Sequence, residues 1–150
     1  MLSSKQKLIA KAFDLKEPLL DENFAKDLAE KDTSNLGNFE ISIHEVGIER
    51  CKGLIFNFEK AILTFKLHAV ELNQERIAAF VDLTVHINKN AKILKHASFK
   101  PSQEDNPKFA FRTWLTRLGM IGDEYKATRK TLLAKLEGNG AFRKVGAKNE

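Results

Sequence analysis

The chain has 150 residues, of which 43% are hydrophobic and 30% charged, and its formal net charge at pH 7 is +5. This length and composition predict one domain with its own hydrophobic core, without disorder except at the ends. The single cysteine, Cys51, excludes an internal disulfide, and no apolar stretch reaches the 18 residues of a membrane span, so we expect a cytoplasmic protein with no membrane partner.

Two helices are predicted in the N-terminal section, residues 1–32. A stripe of apolar residues at helical spacing precedes Pro18, which ends the first helix. A second stripe of this kind, from residue 20 to residue 28, predicts the second helix. The Asn, Asp, Ser and Gly residues at positions 31–38 are typical of a loop.

Three antiparallel strands are predicted between residues 39 and 69, where the period of the apolar residues changes to two. Gly47, Gly53 and the pair Glu59-Lys60 mark candidate turns, and such short spacing favours hairpins over parallel crossovers. The apolar residues of the three runs are Phe39, Ile41 and Ile43, then Leu54, Phe56 and Phe58, then Leu63, Phe65 and Leu67.

Residues 73–92 fit two patterns. Apolar residues alternate with polar ones from Val81 to Ile87, as in a half-buried strand. In a helix, Asn73 would be a good N-terminal cap, and a polar stripe would contain Glu75, Asp82, His86 and Lys89. We predict the helix because the cap and the stripe support it together.

A helical hairpin is predicted at residues 108–137. Asn106-Pro107 favours an extended break before the first helix, and Gly119 suits its end. Asp123 is a suitable cap for the second helix, which ends before Gly138. The residues expected to face the core are Phe111, Trp114, Leu115 and Leu118 in the first helix and Tyr125, Thr128, Leu132 and Leu136 in the second.

Together these elements predict a single α+β domain spanning residues 1–150. A small three-stranded antiparallel sheet would pack one Phe-rich face against the helices, and the hairpin would complete the core. A basic tail, residues 140–150, is expected to be mobile near its end. The aromatic residues expected to be buried together are Phe56, Phe58, Phe65, Phe111 and Trp114.

The charge is unevenly distributed along the chain. Residues 1–82 carry 11 Lys and Arg against 14 Asp and Glu, a balance of −3, whereas residues 83–150 carry 14 against 6, a balance of +8. Within the basic half, Lys126, Arg129 and Lys130 are spaced i, i+3 and i+4, which would form one basic stripe on a helix. Such a stripe can neutralise nucleic-acid phosphates. The further candidate contacts are Arg112, Arg117, Arg143 and Lys144.

Catalytic and metal motifs are weak in this sequence. The four histidines fall in no ligand motif, and the chain has no Gly-rich phosphate loop and no Gly-x-Ser-x-Gly. Two catalytic alternatives remain. In the first, Cys51 is a nucleophile. In the second, Asp82 and His86 are a base and its orienting carboxylate. A lone cysteine is more often a small buried side chain, and such a helical pair is more often solvated charge. We therefore expect no enzyme, cofactor or metal site.

The C-terminal part resembles small proteins carried on bacterial mobile genetic elements, which are labelled virulence-related without an assigned activity. The residues that carry the resemblance are Asp105-Asn106, KFAFR from Lys108, LTRLGMIGDEYK from Leu115, Leu132-Leu133, Gly138-Asn139 and Ala141 to Arg143. They span about forty residues. The resemblance implies a plasmid, conjugative or phage-like source, in which small binding proteins regulate transfer, block host defence or handle nucleic acid. It also favours the helix at 73–92.

Two functions follow as hypotheses. The first is nucleic-acid binding without strong sequence preference, because cations are plentiful and no base-reading set of Asn, Gln and Arg stands at a helix start. The second is a protein-protein module that inhibits or regulates a host nuclease, a defence complex or a regulator. Its acidic residues, which would repel or imitate a duplex, are Asp21, Glu22, Asp27, Glu30 and Asp32.

Overall fold

The computed structural model describes residues 1–101 and 105–143 and contains both helices and strands, so the chain belongs to the predicted mixed class. The elements match the predicted α+β class, although the sheet is smaller than expected. The elements in chain order are α1 (Leu2–Phe13), α2 (Phe24–Ala29), α3 (Leu36–Val46), a 3-10 turn (Ile48–Arg50), β1 (Leu54–Asn57), β2 (Ile62–Phe65), α4 (Gln74–Ile93), α5 (Pro107–Arg117) and α6 (Lys126–Leu133).

The predicted three-stranded sheet at residues 39–69 is wrong, because within the described residues the sheet has two strands. β1 and β2 pair antiparallel with Leu54 opposite Phe65 and Phe56 opposite Leu63. The turn between them contains Ala61 at a φ of 51°, and the Asn57 side chain accepts a hydrogen bond from the Lys60 amide at 2.9 Å. The two later runs of alternating residues therefore form a hairpin, as predicted.

The first predicted strand is the helix α3. Phe39 and Ile43 are four residues apart, a spacing that places two side chains on one face of a helix as well as on one face of a strand. Ile43 is fully buried and Phe39 is half-buried, whereas Ile41 is exposed, which is the helical pattern. Asn35 caps the helix by accepting a hydrogen bond from the Asn38 amide at 2.9 Å. This cap distinguishes a helix from a strand at residues 39–43.

The predicted helix at residues 73–92 is confirmed as α4. The Asn73 side chain accepts a hydrogen bond from the Arg76 amide at 2.8 Å and caps the helix. Leu83 and Ile87 are buried at a spacing of four, while Val81 and Val85 are exposed. The alternation from 81 to 87 therefore arises from a helix with apolar residues on two of its faces.

The predicted helices in 108–137 are α5 and α6. α5 begins with Pro107 after the cap Asn106 and ends in a Schellman motif, in which Gly119 has a φ of 92° and the Met120 amide bonds to Leu115 O at 3.0 Å. α6 is shorter than predicted, because it begins after Tyr125 rather than at Asp123, whose carbonyl accepts from the Lys126 amide. α6 packs mainly against α4.

The buried residues form one cluster, but the predicted aromatic core is only partly present. Phe111 and Trp114 are buried and stack with their ring centroids 5.5 Å apart. The sheet phenylalanines, Phe56, Phe58 and Phe65, are only half-buried. Phe56 and Phe58 pack against Phe39 of α3 with centroids 5.8 and 6.0 Å apart. The Phe-rich face of the hairpin is therefore covered by α3, the helix that stands where the first strand is predicted.

Candidate nucleic-acid interface

The two candidate arginines of α5 are both exposed but point in different directions. They are five residues apart, which on a helix of 3.6 residues per turn separates them by about 140°. Arg112 Nη1 donates to Gly140 O at 2.8 Å, so this side chain lies against the segment that follows α6. Arg117 is the last residue of α5 and has no side-chain hydrogen bond to the described residues. It is therefore free to contact an external phosphate.

The predicted basic stripe of α6 is divided by its surroundings. Lys126 and Lys130 are exposed. Arg129 is half-buried, and its Nη1 donates to Met120 O at 2.9 Å, which turns it toward the joint between α5 and α6. Lys130 lines a cleft beside the start of α4. Arg129 thus supports the joint, while the two lysines remain available at the surface.

The segment that follows α6 carries the remaining candidates. Arg143 is exposed, and Lys144 lies outside the described residues, as do residues 145–150 of the predicted tail. The buried side chain of Asn106 holds the segment on the N-terminal end of α5, because its Nδ2 donates to Asn139 O at 2.8 Å and to Phe142 O at 2.6 Å. Arg112 and Arg143 therefore both belong to the region where this segment meets α5.

The ion pairs of the described residues leave the candidate cations uncompensated. Arg112, Arg117, Lys126, Arg129, Lys130 and Arg143 form no ion pair with a described carboxylate. The pairs that do form involve acidic residues of the N-terminal half, namely Lys7–Glu22, Lys31–Glu45, Arg50–Asp21, Arg50–Asp27, Lys52–Glu17 and Lys135–Asp14. No described carboxylate therefore neutralises these six candidate cations.

Most of the acidic residues proposed to imitate a duplex have internal partners. Arg50 Nη2 lies 2.6 Å from Asp21 Oδ1 and 2.8 Å from Asp27 Oδ2, and its hydrogen bond lowers the pKa of Asp21. The Asp32 carboxylate accepts from the Ser34 amide and from Asn38 Nδ2, and hydrogen bonds from Ser34 lower its pKa. These carboxylates stabilise their own loops, which leaves less acidic surface for a partner.

The alternative catalytic residues are engaged in packing. Cys51 is 4% exposed, and burial raises the pKa of its thiol to about 12, so it is protonated at neutral pH. Asp82 accepts from Thr128 Oγ1 at 2.6 Å and ties α4 to α6. His86 Nδ1 donates to Leu118 O at 2.9 Å, since a carbonyl can only accept, and so caps the end of α5. These contacts account for all three side chains.

Three residues that the sequence did not single out also shape the charged surface. Lys108 lies beside Arg112, because both side chains approach Gly140. Arg76 and Lys135 line the cleft that Lys130 also lines. The position of Arg76, three residues after the cap Asn73, was the only signal in the sequence, since residues there lie close to a helix N-terminus.

The described residues contain no group of three or more His, Cys, Asp and Glu residues that could hold a metal ion. Within the same part of the chain, no helix is long and apolar enough to cross a membrane. Comparison of the chain with protein-family models, curated proteins and solved structures finds no match. Any functional conclusion therefore depends on the chemistry of this surface.

Proposed function

We propose that this protein binds nucleic acid through the cations of α5, α6 and the segment that follows α6, without strong sequence preference, as an accessory protein of a mobile genetic element. The observation that supports this proposal is that six candidate cations, Arg112, Arg117, Lys126, Arg129, Lys130 and Arg143, have no carboxylate partner among the described residues. An unpaired cation gains more from a phosphate than one that must first leave a carboxylate.

The expected energetics are those of counterion release. A protein that neutralises Z phosphates of duplex DNA releases the ions condensed there, so the logarithm of its affinity falls with the logarithm of the salt concentration at a slope of about −0.9Z. Contact with four phosphates would give a slope of about −3.6. Cations on several elements, rather than a recognition helix with base-reading residues, predict positioning on the backbone more than reading of the sequence.

The test uses a triple variant that removes charge without touching the fold. Arg117, Lys126 and Arg143 are exposed and make no side-chain hydrogen bond to the described residues, so Arg117→Gln, Lys126→Gln and Arg143→Gln should leave stability unchanged. Arg112 and Arg129 are kept, because each donates to a backbone carbonyl. If all three residues contact phosphates, the slope should become less negative by about 2.7 units, measured by fluorescence anisotropy on labelled duplex DNA.

A matched control removes the same number of positive charges from the acidic half of the protein. Lys7, Lys31 and Lys52 are exposed, and each lies within ion-pair distance of a carboxylate. Lys7→Gln, Lys31→Gln and Lys52→Gln together should leave the slope near that of the wild type. If the salt slope changes equally in the two triple variants, binding depends only on the net charge of the protein. A wild type without affinity for DNA at low salt would overturn the proposal.

A protein partner is the second candidate, favoured by an apolar stripe on α4. Ile77, Val81 and Val85 follow one another at a spacing of four and are 49%, 52% and 43% exposed. Such a stripe is typical of a helix face that another protein covers. Capture from host lysate with and without nuclease separates the candidates, because a protein that stays bound after nuclease treatment supports this second function.

A further inference from the structure

A cleft of about 640 Å³ lies between the start of α4, one side of α6 and the end of α1. Four alanines, one of them in α1, one in α4 and two around α6, contribute to its walls and leave it open because their side chains are short. Ligand sites commonly have volumes in this range. The charged residues that line it are Glu75, Arg76, Lys130 and Lys135.

Arg76 carries the strongest sign of a missing acceptor. Arg76 lines the cleft and is only 7% exposed. Nη1 donates to Glu71 O at 2.7 Å, but Nη2 is buried and has no hydrogen-bond partner among the described residues. Buried guanidinium groups are normally hydrogen-bonded, because a donor removed from water without a new partner is destabilising. Because Nη2 has no contact with solvent, an anion would supply this acceptor after a lining side chain shifts and opens the path from the cleft.

The first turn of α4 supplies further donors at the same place. Asn73 and Gln74 line the cleft, and α4 is 20 residues long. The Asn73 side chain accepts the Arg76 amide, whereas the amides of Gln74 and Glu75 are the first two of the helix and have no acceptor within it. The positive end of a helix macrodipole therefore adds to the charge of Arg76.

The balance of side-chain charge also favours an anion. Lys135 is paired with Asp14, which leaves Arg76 and Lys130 as the cations of the cleft without a carboxylate partner among the described residues. Glu75 is the single acidic residue that lines the cleft and lowers the affinity expected for an anion. Arg76, Lys130 and the two amides outnumber it, while Asp14, which interacts electrostatically with Arg76, offsets part of the positive charge.

We propose that this cleft binds a phosphate group, with Arg76, Lys130 and the first amides of α4 as its ligands. Tetrahedral oxyanions suit this donor set, because several N–H groups can converge on different oxygens of one group. The remaining volume admits the molecule that carries the phosphate, with Thr131 and Gln74 within the lining. The proposal goes beyond nucleic-acid binding by the exposed cations, since Arg117, Lys126 and Arg143 do not line the cleft.

The experiment titrates the ¹⁵N-labelled protein with inorganic phosphate at constant ionic strength, and chloride serves as the reference anion. We expect saturable shifts of the Gln74 and Glu75 amide signals with phosphate and none with chloride. A 5′-phosphorylated oligonucleotide and its unphosphorylated twin are compared in the same way. Shifts that need the 5′-phosphate identify a nucleic-acid end as the source, whereas shifts with inorganic phosphate alone identify a small phosphate, and both outcomes support the site.

Two exposed lysines, Lys130 of α6 and Lys89 of α4, provide a matched pair of variants. Lys130 lines the cleft and Lys89 does not. Lys130→Gln should weaken phosphate binding about tenfold, the loss of one charged hydrogen bond, and Lys89→Gln should leave it unchanged. Arg76→Lys keeps a donor for Glu71 O but removes Nη2, and we expect it to abolish the shifts in a folded protein. Absence of shifts in the wild type, or equal effects of the two lysine variants, would overturn the proposal.

Discussion

Asn106 connects the start of α5 with the segment that follows α6 through one side chain. It is 2% exposed, and its Oδ1 accepts from the Phe109 amide at 3.1 Å, which caps α5. Its Nδ2 donates to Asn139 O and Phe142 O, at 2.8 and 2.6 Å. Gly138 leaves room for this arrangement, because a Cβ there would lie 2.2 Å from Oδ1. We predict that Asn106→Ala destabilises the protein more than any exposed Asn→Ala change.

The magnitude follows from the three hydrogen bonds that the alanine variant loses. Removal of an N-terminal cap costs about 1 kcal/mol. The two lost donors leave carbonyls on exposed residues, which water can satisfy, so each contributes about 0.5–1 kcal/mol. The total is about 2–3 kcal/mol. Since 1 kcal/mol shifts the Tm of a protein of this size by about 2–4 °C, the expected decrease is about 4–12 °C.

Asn106→Asp separates the two roles of the side chain. An aspartate caps a helix as well as an asparagine does, but its ionised carboxylate cannot donate to Asn139 O and Phe142 O. It should therefore lose the contacts of the segment after α6, seen as faster amide exchange at residues 139–143, while α5 keeps its protection. Asn88→Ala is the control, because Asn88 is exposed on α4. A Tm for Asn106→Ala equal to that of the control would refute the role given to Asn106.

Three other predictions concern packing, pH and reactivity. Phe111→Ala should lower the free energy of unfolding in urea by about 3–5 kcal/mol, because the side chain is fully buried. Phe56→Ala should lower it by less, because Phe56 is only half-buried, and equal decreases would contradict this difference in burial. The hydrogen bond from Arg50 lowers the pKa of Asp21, so this carboxylate stabilises the fold above its unfolded pKa near 4 and ceases to do so as the pH falls. Asp21→Asn should therefore flatten the acid side of the curve of unfolding free energy against pH. Identical curves for the wild type and the variant would argue against this contribution. Since burial raises the pKa of Cys51 to about 12, thiol reagents should modify it slowly at pH 8 unless denaturant is added, and rapid modification of the folded protein would show an open site.

The sequence predicted elements best where a capping side chain and the apolar period agreed. Asn73 marks the start of α4, and Gly119 marks the end of α5, and both roles are present in the structure. The strand prediction at Phe39–Ile43 failed because only three apolar residues define the period there. A spacing of four is common to both patterns, so the cap Asn35 is the decisive residue, and asparagine is equally typical of the loop predicted there.

The sequence predicts the exposure of Lys126 and Lys130, but not the half-buried position of Arg129 or the grouping of these cations. Helical spacing places Lys126, Arg129 and Lys130 near one another, yet it does not show that Arg129 bonds to Met120 O or that Lys130 lines a cleft. Both facts depend on elements distant in sequence, the joint after α5 and the start of α4. Arg76 was missed for the same reason, since its burial and its unpartnered Nη2 result from tertiary packing.

The uneven charge of the two halves becomes a binding surface only through the arrangement of the ion pairs. At physiological ionic strength, interactions between exposed charges are screened beyond roughly 8 Å, so a phosphate responds to the charges near it and not to the balance of a whole half. Arg50 is held by Asp21 and Asp27, and its charge is already compensated where it lies. Lys126 has no such partner among the described residues, so its charge acts on whatever approaches α6. Two surfaces with equal numbers of lysine and arginine can therefore differ in their affinity for phosphate. For this reason the paired lysines of the acidic half are the appropriate control for the binding experiment.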